Sequence, residues 1–215
     1  MKDIIEIKHL KKSYGKTLAV DGISLSVEKG DFYGFIGPNG SGKSTTINCM
    51  LNYIFQDKGT IKILGLDNIE DTVEIKKHIG YVPSEVFYYD NMKVKELLSY
   101  SNSFYIDVDK SLLKKYTKLF DIDMNKKMNQ LSLGNKKKVA IVQCLLHNPK
   151  ILILDEPTNG LDPLMQVELF EVLNEIRKNG TTIFMSSHIL NEVQKHCNKL
   201  AFIKKIGRAS CRERV

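Results

Sequence analysis

The chain has 215 residues, 42% hydrophobic and 27% charged, enough apolar content for a globular chain forming one domain or one domain with a large insertion. Its formal net charge of +7 suits nucleic acid, an anionic membrane surface or a nucleotide, so charge alone does not choose among them. Cys49, Cys144, Cys197 and Cys211 lack disulfide or zinc spacing and point to a reducing cytoplasm, Met1–Leu10 does not read as a signal peptide, and no apolar run approaches the roughly 20 residues of a membrane-spanning helix.

In chain order, Ile4–Ile7 alternates as a strand, and Leu18–Val27 follows the turn Ser13-Tyr14-Gly15 as its antiparallel partner. Tyr14 stands among polar neighbours, an aromatic face suited to an adenine ring or, more plainly, a turn tyrosine. The apolar strand Phe32–Ile36 runs into Gly37-Pro38-Asn39-Gly40-Ser41-Gly42-Lys43-Ser44, which fits G-x-x-x-x-G-K-[ST] between a strand and a helix. Gly37, Asn39, Gly40 and Gly42 let successive backbone N–H groups turn inward, and the helix N-terminus adds a positive dipole for a polyphosphate. Lys43 is expected to reach the β- and γ-phosphates, Ser44 to place its hydroxyl on Mg²⁺ and Thr45 to donate to the α-phosphate.

Helical spacing of Ile47, Met50, Leu51 and Ile54 predicts a helix from Gly42 to about Tyr53, followed by a strand at Thr60–Leu64 and a short helix at Thr72–His78. The strand Ile79–Val82 stops at Pro83, and residues 84–148 read as an inserted helical subdomain with helices at Lys93–Phe104, Ser111–Phe120 and Lys136–His147. The cluster Lys136, Lys137 and Lys138 reads as a solvated helix face rather than a nucleic-acid patch. Ile151–Leu154 is a four-residue apolar run closing on Asp155 and Glu156, as expected of a central parallel strand with carboxylates at its carboxyl end. There Asp155 can hold Mg²⁺ and Glu156 can polarise an attacking water. A helix at Pro163–Lys178, a strand at Thr181–Met185, a helix at His188–His196 and a strand at Leu200–Ile203 complete the pattern. The fold class is α/β: a P-loop, doubly wound, mostly parallel sheet with an N-terminal antiparallel part and an inserted α-helical subdomain, residues 1–83 and 149–205 forming the core.

These motifs, in this order, resemble an ATP-binding cassette (ABC) ATPase over almost everything from Ile4 to Lys205. The resemblance makes Gly37–Ser44 the Walker A, Ile151–Glu156 the Walker B with its catalytic glutamate, Asn159–Asp162 the D-loop and His188 the switch histidine that contacts the γ-phosphate. Tyr14 falls where the family stacks adenine, and Leu131-Ser132-Leu133-Gly134-Asn135 falls at its signature, LSGGQ. In the family, two subunits dimerise head to tail and each gives its signature, here Ser132 and Gly134, to the ATP on the other's Walker A. The resemblance thus implies ATP and Mg²⁺ as cofactors. It implies as partners a second nucleotide-binding subunit, identical or not, and separate transmembrane permease subunits, with no nucleic acid. The location it implies is cytoplasmic, peripheral on the inner face of the membrane. The D-loop region Pro157–Pro163 and the LSLG form are similar to exporters of drugs or antibiotics. The alternative is a non-transport ABC ATPase acting on ribosomes or nucleic acid, which usually carries paired cassettes or long coiled-coil insertions. Asp162 also reads as a helix N-cap before Pro163.

Three departures stand out. The signature replaces a glycine with Leu133 and the glutamine with Asn135; Ser84 stands where the family has a glutamine that reaches the metal or water; and residues 206–215, Ile-Gly-Arg-Ala-Ser-Cys-Arg-Glu-Arg-Val, read as a translated sequencing adapter rather than native sequence. Serine is too short for the glutamine's reach, so coupling is expected to run through Glu85 or a bridging water.

Overall fold

The computed structural model describes residues 3–105, 109–204 and 209–212. Two sheets carry the architecture. The first is antiparallel, with strands β1 (Asp3–Tyr14), β2 (Thr17–Glu28), β4 (Lys58–Ile63) and β5 (Leu66–Asp67) in the order β2-β1-β4-β5. The second contains β3 (Phe32–Ile36), β6 (Ile79–Val82), β7 (Ile151–Asp155), β8 (Thr182–Ser187), β9 (Lys199–Ile203) and β10 (Ala209–Arg212) in the order β10-β9-β3-β8-β7-β6. Strands β9, β3, β8, β7 and β6 are parallel, and β10 pairs antiparallel with β9 at the edge. The rest of the 206–215 stretch, residues 206–208 and 213–215, lies outside the described residues.

The apolar runs read as central strands are buried on both faces, and their period of two divides the core. Leu152 and Leu154 of β7 join one buried cluster, while Ile151 and Ile153 join the other. The same split places Phe32 and Ile36 against Tyr33 and Phe35 in β3, and Ile183 and Met185 against Phe184 in β8. Phe184 packs between two aromatic rings of β3, 5.7 Å from Tyr33 and 5.5 Å from Phe35 between centroids.

Helices cover both faces. Helix α1 (Lys43–Met50) packs with the cluster that also holds the antiparallel sheet. Helices α6 (Pro163–Lys178) and α7 (Leu190–His196) bury Leu169, Leu173 and Val193 in the other. Between β6 and β7 lie α3 (Val94–Asn102), α4 (Lys110–Leu119), a one-turn 3₁₀ helix (Met128–Gln130) and α5 (Leu133–Leu145), and α2 (Thr72–Lys76) precedes β6. Val94, Leu98, Val139 and Val142 from this helical stretch share a continuous core with Leu152 and Leu154 of the sheet.

Several boundaries differ from the periodicity. The first strand extends through the polar stretch after Ile7 because backbone pairing to β2 and β4 continues past it, with register shifts around His9, whose φ is 50°. Helix α1 ends at Met50 rather than Tyr53, and α5 starts at Leu133, three residues before Lys136, because Ser132 caps it. Helix α7 starts at Leu190, leaving His188 on the loop before it.

Candidate functional site

The chain leaves β3 at Ile36 and turns at once into the glycine-rich loop, pinned where the Gly37 N–H donates to the Ser187 carbonyl at 3.2 Å. Gly42 then serves as N-cap of α1 with φ 98°, and a Cβ there would lie 2.5 Å from the Ala19 carbonyl. Both the left-handed backbone and the close approach of β2 demand glycine. No side chain caps this helix, so its first N–H groups remain available to an anion.

The Lys43 side chain is 4% exposed and curls back over the loop, its Nζ donating to the carbonyls of Gly37 at 2.7 Å and Pro38 at 3.2 Å. The same ammonium lies 3.2 Å from Glu156 Oε1. Strand β7 delivers Asp155, 1% exposed, whose Oδ1 accepts a short hydrogen bond from the Ser186 hydroxyl. Glu156 follows with φ 47°, an unusual conformation for a residue with a Cβ. Ser186 holds it there: the Glu156 N–H donates to the Ser186 carbonyl at 3.2 Å and its Oγ at 3.0 Å. The carboxylate then spans the site, with Oε2 accepting from Asn159 Nδ2 at 2.6 Å and lying 3.0 Å from His188 Nδ1. Burial opposes its charge, but hydrogen bonds from Lys43 and Asn159 and the electrostatic pull of Lys43, with a smaller one from His188, outweigh that and hold the carboxyl below its ordinary range.

An open cleft gathers Asn39, Gly40, Gly42, Lys43, Ser44, Thr45, Ser84, Glu85, Glu156 and Asn159 beside Ala19. Most of the expected phosphate-binding residues therefore converge on the expected carboxylate. Tyr14, half exposed at the end of β1, has Lys12 Nζ 5.8 Å from its ring centroid. Ser132 and Gly134 do not line the cleft. Ser132 is exposed and accepts from the Asn135 N–H at 3.3 Å, while Gly134 packs so tightly on the Asp162-containing loop that a Cβ would lie 2.7 Å from the Gly160 carbonyl. Asp162 is the N-cap of α6, its carboxylate accepting from the Met165 N–H at 3.0 Å.

The donors fit the groups the motifs imply. The first N–H groups of α1 carry no side-chain cap, and the buried Ser41 hydroxyl has no hydrogen-bond partner in the loop. Among the described residues no trio of His, Cys, Asp or Glu forms a metal cage. A lone hydroxyl and a lone carboxylate, Ser44 and Asp155, suit Mg²⁺, which binds through few protein ligands plus water and phosphate.

Sequence reasoning missed three residues. Ser186 carries no motif, and its role follows from parallel pairing with Asp155. Asn159 reads only as the start of the D-loop, yet its Nδ2 donates to the Glu156 carboxylate. Lys137 corrects the reading of its cluster as a solvated face: it is 1% exposed and donates to the carbonyls of Pro83 and Ser84, each at 2.8 Å.

The family model "ABC transporter" matches residues 20–159. The chain is 38% identical to the lantibiotic transport ATP-binding protein of Streptococcus pyogenes, covering 93% of this chain and 86% of that protein. It is 35% identical to the bacitracin transport ATP-binding protein of Enterococcus faecalis, covering 91% of this chain and 64% of that one, so the chain spans about two thirds of that relative's length. A solved ATP-binding subunit of an ABC transporter superposes with a TM-score of 0.89 at 27% identity over 98% of this chain and 90% of that one. A dimeric bacterial ABC transporter cassette superposes at 0.87 and 24% identity over 97% of this chain and 98% of that one, which speaks to fold alone. With the cradle, the paired carboxylates and the fold in one place, the chain belongs to the ABC transporter family, as one of its ATP-binding, ATP-hydrolysing subunits.

Proposed function

We propose that two such cassettes, identical or paired with a relative, close around two ATP molecules, hydrolyse them and drive separate permease subunits that export an antibiotic-like compound. The observation that carries the reading is the three-way grip on Glu156 by Lys43, Asn159 and His188 at the mouth of the glycine loop. In this role Lys43 and the α1 N-terminus bind the polyphosphate, and Tyr14 stacks on adenine. The polyphosphate competes with Glu156 for the Lys43 ammonium, and a carboxylate released from that ion pair is free to accept a proton from the attacking water. His188 and Asn159 keep the carboxylate aimed. Ser44 and Asp155 would hold Mg²⁺, which neutralises charge on the transferring phosphoryl group. Ser132 and Gly134 serve the second chain's nucleotide, and Asp162 sits at the same junction.

Two features support the partners. An apolar groove lined by Tyr53, Tyr81, Phe87, Tyr88, Tyr105 and His147 runs beside β6 and the helices after it, a neighbouring cleft adds Phe104, and Phe87 and Phe104 are 84% and 67% exposed. Exposed apolar surface of this kind marks an interaction site, and a permease supplies one. Among the described residues no helix is long and apolar enough to cross a membrane. Export is supported by relatives named for bacitracin and lantibiotic transport and for linearmycin resistance.

Phosphate release with Mg-ATP is the test. Glu156→Gln is expected to lower turnover by about 10³-fold while ATP stays bound, the loss typical of a general base, and Lys43→Ala to lose both binding and turnover. Turnover in Glu156→Gln within ten-fold of the wild type, about 1.4 kcal/mol, would sink the catalytic assignment.

A further inference from the structure

Lys137 lies five residues after Ser132 in α5, and its neighbours Lys136 and Lys138 remain partly exposed while it is buried. Placing an ammonium where water is excluded costs several kcal/mol unless its protons are satisfied. Both of its partners lie where the chain leaves the sheet: β6 ends at Val82, and the next two carbonyls, of Pro83 and Ser84, each accept from Lys137 Nζ. Ser84 and Glu85 line the cleft alongside Lys43 and Glu156. A methionine would fill the same space without the desolvation cost, so packing alone gives no reason for a charge there.

We propose that Lys137 is a positioning residue that bolts the signature helix to the Pro83–Ser84 crossing, so that the cleft of one chain and the signature it offers the second chain move as one body. The role rests on the ATPase reading above. One ammonium satisfies two successive carbonyls that have no strand partner, and it does so from the helix whose N-terminus carries Ser132. Burial, against the upward pull of the Asp155 and Glu156 carboxylates, lowers the Lys137 pKa to about 8, so the ammonium form prevails at neutral pH.

The test compares steady-state hydrolysis, nucleotide binding and thermal melting for the full chain carrying Lys137→Met or Lys137→Gln. Met keeps the volume and removes the donor; Gln restores a donor one atom shorter. The expected result is a fall in kcat of about ten-fold or more for Met with the KM for ATP within about two-fold, and recovery to within about three-fold of wild type for Gln, the split that marks positioning rather than binding. A wild-type kcat in Lys137→Met, a Gln variant as slow as Met, or a joint collapse of KM and melting temperature in Met would each overturn it. Lys43→Ala run in parallel separates the two readings: hydrolysis that survives it overturns the site assignment, whereas a dead Lys43→Ala beside a full-rate Lys137→Met overturns only the positioning role.

Discussion

Helices α1 and α5 both open at N-termini suited to phosphate, and they are built in opposite ways. At α1 the N-cap is Gly42 in a left-handed conformation, with no side chain satisfying the helix's own N–H groups, and Lys43 and Glu156 close over the same space. At α5 the N-cap is Ser132 in an extended conformation, its hydroxyl accepting from the Asn135 N–H, and Leu133 beside it is 60% exposed. The first terminus is completed by its own chain; the second is propped from behind by Gly160 and presented outward. That contrast is what a site shared between two chains requires.

Breaking each half separately gives the largest expected effect. Lys43→Ala removes the cradle's cation, and Gly134→Val drives a side chain into the Gly160 carbonyl, 2.7 Å from where its Cβ would stand. Each variant alone is expected to lose about 100-fold or more in turnover, in line with the loss of one preorganised charge-stabilising group. Mixing the two creates dimers in which an intact cradle meets an intact signature. Turnover in the mixture should then rise at least about ten-fold above either parent, because each head-to-tail pair has two crossed sites and only one carries both lesions. A mixture that runs only at the average of its two parents would mean that each chain hydrolyses ATP alone.

The two halves were also unequally legible. The cradle was readable because strand, loop and helix are consecutive in sequence and each glycine answers a local demand; Ile151–Asp155 was readable because a strand buried on both faces has no polar alternative. The cap at Asp162 before Pro163 was equally local. Contacts that depend on distant pairing left no mark. Ser186 looks like any strand serine until β8 lies beside β7, and Lys137 is one of three consecutive lysines until Pro83 and Ser84 pass over it. The extension of β1 through its polar middle also comes from β4, some 50 residues away, rather than from its own alternation.

A smaller effect sharpens how the cleft signals outward. Ser84 is half-buried and Glu85 exposed, and both line the cleft where a glutamine is usual in the family. On the proposed function, communication with a permease would run through Glu85 or a bridging water. Ser84→Gln adds reach without disturbing the carbonyl that Lys137 holds, and it is expected to leave ATP affinity in place while changing turnover in the full complex by about two- to five-fold, the scale of one gained hydrogen bond. Unchanged turnover there would remove Ser84 from the coupling path.

The smallest expected effect concerns stability, and it tests whether the Glu156 grip exists before any ligand binds. Its carboxyl is held below the ordinary range in the fold, so the fold favours the ionised form. The resulting stabilisation is fully present above the unfolded value, about 4.3, and is lost as pH falls through the lower folded value. Glu156→Gln keeps the shape and lacks this ionisation. With no nucleotide added, the melting temperature of the wild type minus that of Glu156→Gln should therefore be larger at neutral pH than in acid, shrinking by about 1–3 °C as the carboxyl protonates, a size set by a domain of this length. A gap that stays constant from neutral pH to below the folded pKa would show that Lys43, Asn159 and His188 do not hold the carboxylate charged, and the aim of Glu156 would then depend on the nucleotide alone.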